Sequence, residues 1–95
     1  MIISSGNVSQ SYHVLGMVIG FASATEGCSG TIDVVGTYKL ALNRLADSAQ
    51  AKGATGLLFV NFQNRFAAAR NCGSNKQAFE VFAWGTAVTW ANAND

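Results

Sequence analysis

VVGTYKLALNRLADSAQAKGATGLLFVNF, residues Val34 to Phe62, passes from a helical pattern through a glycine stop into an apolar strand. Val34, Tyr38, Leu42, Leu45 and Ala49 recur every three or four residues, which places them on one face of a 3.6-residue repeat. Lys39, Asn43, Asp47 and Gln50 fall on the other face. No proline interrupts the run, and its alanines and leucines are good helix formers. Asp33 suits the amino end, where a carboxylate accepts from free N–H groups and meets the positive end of the helix dipole. Gly53 suits the carboxyl end, because glycine takes the left-handed conformation without a Cβ clash. The spacing predicts a helix about 25 Å long at 1.5 Å per residue.

In the strand that follows, simple alternation puts Leu57 and Phe59 on one side and Leu58, Val60 and Phe62 on the other. Both faces are apolar, so both require cover. One helix covers one of them, and the other needs a second partner.

Outward from this unit, Met1 to Ile3 reads as a short edge strand and Ser4 to Ser11 as a loop. Tyr12 to Ala22 reads as a full strand. Its Gly16 and Gly20 share a face with Tyr12, Val14 and Val18, where a missing side chain admits another backbone or a bend. His13, Leu15, Met17, Ile19 and Phe21 share the opposite face. Ser23 to Ile32 is expected to be a loop, and Asn64 to Lys76 a polar loop carrying Arg65, Arg70 and Lys76. Gln77 to Trp90 closes the fold as a long strand, with Phe79, Val81, Ala83 and Ala87 on one side and Phe82, Trp84, Val88 and Trp90 on the other. Ala91 to Asp95 reads as a fraying tail. The expected class is α+β: a small single-layer sheet, in the order strand, helix, strand, strand, packed on one helix.

Ninety-five residues make one domain, 1–95, with room for one core. A hydrophobic fraction of 49% with 12% charged residues describes a folded chain. The net charge of +1 provides no global attraction to nucleic acid or anionic membrane. The apolar stretch Val14 to Ala24 is too short to span a bilayer as a helix. Met1 to Ile3 carries neither a basic n-region nor a cleavage signal, so a secretory leader is expected to be absent or already removed.

Chemistry-bearing patterns are few. His13 stands alone on a strand, and Glu80 sits between apolar neighbours, expected to face solvent or to bond Asn61 across the hairpin. The glycines from Gly16 to Gly20 lie within a strand and lack the strand-to-helix turn of a phosphate loop. Neither catalysis nor a bound cofactor is expected, and the chain reads as a non-enzyme. His13, Cys28 and Cys72 are the soft metal ligands, too few for a four-ligand zinc site within one chain, though copies in an oligomer could supply one. Arg65, Arg70 and Lys76 read as a solvated surface rather than a nucleic-acid patch. The aromatic residues Phe59, Phe79, Phe82, Trp84 and Trp90 read as core or interface.

Three segments together resemble the YbjQ-like family, described as heavy-metal-binding proteins: Leu15 to Gly20, Ala49 to Leu58, and Trp84 to Val88. The opening Met1 to Ser5 is similar too. The resemblance implies a dodecin-like α/β fold and a homo-oligomer, a pentameric ring among cytoplasmic members. A related resemblance is to the periplasmic domain of the lipoprotein sensor of the Rcs envelope-stress pathway, which has cysteines matching Cys28 and Cys72. That resemblance implies a Cys28–Cys72 bridge. The sensor's second bridge would fall at Asn61 and Glu80, which are not cysteines here. A bridge would place the chain in the periplasm or outside the cell, and two free thiols in the cytoplasm. The function expected is a binding or assembly module, envelope-associated in the sensor-like case. The alternative is a small-ligand or metal-binding oligomer with sites between subunits.

Overall fold

In the computed structural model, residues 1–27, 30–71 and 73–91 are described. Four strands and one helix follow in the order β1 (Ile2–Ile3), β2 (Tyr12–Thr25), α1 (Val34–Ala51), β3 (Gly56–Asn71) and β4 (Ser74–Trp90). They form a mixed α+β fold with one sheet in the order β1-β3-β4-β2. β1 lies parallel to β3, while β4 runs antiparallel to both β3 and β2.

The helix begins where Asp33 Oδ1 accepts from Gly36 N at 2.9 Å. It ends at Gly53, whose φ of 83° is open to glycine, with Gly53 N donating to Gln50 O and Ala54 N to Ala49 O. Its buried stripe is Thr37, Ala41, Leu45 and Ala49, flanked by the half-buried Tyr38 and Leu42. Val34, expected on that stripe, is 44% exposed, because the contact line with the sheet runs one residue round the helix through Thr37 and Ala41. The stripe packs on Val18 and Ala22 of β2, on Phe79, Val81, Ala83 and Ala87 of β4, and on Leu57 and Val60 of β3.

Two bulges set which side chains reach this core. One lies between Val14 and Gly16, the other between Leu58 and Asn61. Phe59 takes φ 56° in the second, an uncommon conformation for a residue with a Cβ. The extra residue reverses the alternation. Leu57, Val60 and Phe62 therefore share the helix side, where simple alternation had opposed Leu57 to the other two.

The stretch from Asn64 to Lys76 differs from the loop expected. It continues β3 and β4 as one hairpin, paired from Gly56 opposite Val88 to Asn71 opposite Ser74. Phe66 and the three alanines after it contain no breaker, and every residue from Arg65 to Arg70 has a partner on β4. The molecule is long and thin, 61 × 21 × 15 Å. Its radius of gyration of 16.6 Å exceeds the roughly 12 Å of a compact chain of this length. β2 likewise runs on to Thr25, past the end expected at Ala22.

On the face away from the helix, residues 4–11 cross from β1 at one edge to β2 at the other. Val60 N donates to Ser4 O, Tyr12 OH to Asn7 Oδ1, and Ala91 N to Ser11 O. Leu58 and Val88 lie on this face, outside the helix-side cluster, and both are 0% exposed. The crossing segment passes this end of the sheet, where the second apolar face is shielded from solvent and the Trp90 ring lies against Gly56.

Candidate functional site

Beyond that crossing segment the far face is open. The even residues of β4 and the odd residues of β2 after its bulge point there, as do the odd residues of β3 after its own. Met17 and Ile19 are 68% and 66% exposed, and Phe21 packs on Phe82 at 5.0 Å between ring centroids. Trp84 lies opposite Ile19 and stays half-buried. The result is an apolar strip on β2 and β4, bordered by the polar side chains of Asn61 and Gln63 on β3.

Arg65 and Glu80 close one end of this strip. They face each other in register, and Arg65 Nε donates to Glu80 Oε1 while the guanidinium lies 5.5 Å from the Phe82 ring centroid. Glu80 thus bonds Arg65, four residues along β3 from the expected Asn61, which stands opposite Trp84. The three cations do not converge. Arg65 and Lys76 belong to the open side by alternation, and Arg70 to the helix side.

The edges of the sheet differ from one another. On β2 the outward carbonyls are capped by the helix: Arg44 Nη1 donates to Phe21 O at 2.8 Å and Ser48 Oγ to Ile19 O at 3.4 Å. On β3, β1 pairs alongside Gly56 and Leu57, and the chain after it reaches as far as Val60 through Ser4. Past that point β4 is the one neighbouring strand of β3 among the described residues.

Of the soft ligands, His13 sits opposite Thr89 near the start of β2, and the chain approaches Cys28 from the far end of that strand. A 14-residue strand spans roughly 45 Å at about 3.3 Å per residue, so the chain's histidine is far from the approach to Cys28. Cys28 and Cys72 themselves, and the bridge expected between them, lie outside the described residues, as does the tail from Asn92. Among the described residues no cluster of three or more His, Cys, Asp or Glu side chains is placed to hold a metal, and no enclosed pocket is present. No described helix is long and apolar enough to cross a membrane.

Of the aromatic set, Phe79 is core, at 6.0 Å from Tyr38 and 5.1 Å from Phe66 between ring centroids. Tyr38 also accepts from Asn64 Nδ2, which ties the helix to β3. Phe59 projects outward at the bulge, an orientation that alternation alone does not foretell.

No family model matches the chain, and no curated protein matches it. Among solved structures, a protein of unknown function from Pediococcus pentosaceus ATCC 25745, described as belonging to the DUF74 family, shares this fold. The TM-score is 0.75 at 14% identity, over 96% of this chain and 98% of that one. DUF74 is the YbjQ-like family, so the neighbour has the architecture that the sequence resemblance implies. At that identity the likeness defines the fold class and carries no activity.

Proposed function

We propose that this chain is a non-enzymatic assembly module of YbjQ-like type, whose copies associate through the open face of the sheet. The observation that carries this reading is the exposure of Met17 and Ile19 beside Phe21, Phe82 and Trp84. Burying a side chain of this kind is worth about 1.5–3 kcal/mol, so leaving the strip in water forgoes a large stabilisation. The half-buried aromatic rings beneath it supply the amphipathic contact area that interfaces favour. A closed ring, as the family resemblance implies, satisfies such a face in every copy.

Sedimentation across the micromolar range tests it. The expected result is an oligomer that Ile19→Lys converts to monomer with an unchanged circular dichroism spectrum. A wild-type chain that sediments as a monomer throughout that range overturns the reading. Stoichiometric zinc or copper in the purified protein would instead favour ligand sites between subunits.

A further inference from the structure

We infer that a second copy of this chain adds as a strand to the outer edge of β3, antiparallel, about a two-fold axis at Phe66. This shares with the proposed function only the premise of self-association and uses a different surface.

The edge is defined by hydrogen-bond direction. Val60 N points outward to Ser4 O, and Phe62 N outward to Asn61 Oδ1. Alternation then turns the backbone groups of Asn64, Phe66, Ala68 and Arg70 the same way, while the odd residues bond β4. From Phe62 to Arg70 this edge is about 30 Å long at 3.4 Å per residue. Proteins normally blunt so long an edge. The β2 edge is blunted here by Arg44 and Ser48. On β3 the charge best placed as a guard, Arg65, is drawn across β4 to Glu80 and Phe82.

The sequence of this edge is complementary to itself. With the axis at Phe66, Asn64 stands opposite the partner's Ala68 and Phe62 opposite the partner's Arg70, which suits a cation against an aromatic ring. Arg65 stands opposite the partner's Ala67, so no like charges meet. An axis one residue earlier would set Arg65 against itself, which is unfavourable. In the favoured register outward N–H groups face outward C=O groups, and Asn71 of each copy stands opposite Asn61 of the other, one residue short of Val60, where Ser4 already occupies the edge. Phe66, 56% exposed, meets its own copy on the axis.

Amide hydrogen exchange of the whole chain, read by NMR across a concentration series, tests this. The N–H groups of Asn64, Phe66 and Ala68 should slow by about tenfold or more as the copies pair, while those of Gln63 and Arg65 are protected throughout. Phe66→Lys, which sets two cations on the axis, should abolish the concentration dependence and leave the circular dichroism unchanged. Exchange at these three amides that is independent of concentration overturns the inference. So does protection that survives in Phe66→Lys. Association lost in Ile19→Lys but kept in Phe66→Lys would leave the face reading standing and remove this one. The reverse pattern would keep the edge pairing and remove the face reading.

Discussion

Gly20 of β2 lies directly beneath Ala41 of α1. A Cβ at Gly20 would fall 2.6 Å from Ala41 O, and equally 2.6 Å from Leu45 N. Both atoms are helix backbone and neither can swing aside. Gly20→Ala should therefore push the helix off the sheet and cost about 1–3 kcal/mol, the usual range for overpacking. Urea unfolding reads this as a lower midpoint at constant slope. An alanine variant as stable as the parent would mean that the helix sits further from β2 than described.

The cap at Asp33 makes a smaller, separable contribution. Its carboxylate accepts from Gly36 N, and its carbonyl accepts from Thr37 Oγ1 at 2.6 Å. Asp33→Ala removes the first contact and should cost about 0.5–2 kcal/mol, whereas Asp33→Asn keeps an acceptor and should cost less. Thermal melts of the two variants side by side give the ordering, and equal losses would refute it.

Leu58 provides a test of the crossing segment. It lies on the face away from the helix, yet it is as buried as Leu45 beneath the helix. Leu58→Ala should cost about 2–5 kcal/mol, comparable with Leu45→Ala. A loss below about 1 kcal/mol, the range of surface substitutions, would show that residues 4–11 do not seal this face in solution.

The Cys28–Cys72 bridge is expected from the resemblance. Glu26 N donates to Gln77 O and Gln77 N to Glu26 Oε1, so the chain leads towards Cys28 from beside β4. Closing a loop of that length is worth about 4 kcal/mol by chain entropy. Intact mass should rise by two protons on reduction. Complete alkylation of both thiols without reductant rejects the bridge.

Much of this fold is legible in the residues. The helix, its Asp33 start and its Gly53 stop follow from spacing and backbone chemistry, and the succession of strands along the chain follows from apolar runs, whereas the order β1-β3-β4-β2 within the sheet does not. Gly16 marked the bend in β2, where its φ of 139° sits at the bulge, but the bulge in β3 was not legible. One inserted residue at Phe59 reverses the faces of Val60 and Phe62, and nothing in an apolar run marks where the insertion falls. Residues 64–76 read as loop because Asn71, Gly73, Ser74 and Asn75 are turn formers and Arg65, Arg70 and Lys76 make the stretch polar. The pairing of residues 64–71 with β4 is a tertiary outcome that overrides that local preference. At the candidate site, alternation placed Met17, Ile19 and Phe21 on one apolar side of β2, and the structure shows that side exposed. The capping of the β2 edge by Arg44 and Ser48 depends on how the helix lies across the sheet, and no spacing within either segment encodes it.

The pairing of β2 with β4 also sets the tempo of folding. Tyr12 finds its place beside Trp90, and Thr25 beside Ala78, so the second strand made waits for the last. During synthesis α1 and most of β3 emerge while β2 still has no strand to join. Non-local pairing of this kind folds slowly, because a long loop must close before its contacts repay it. Until then Met17, Val18, Ile19 and Phe21 are exposed together on a nascent chain, where such surface invites chaperones and aggregation. A ribosome stalled before Phe79 therefore holds a chain in which most of the partners of β2 have yet to be made.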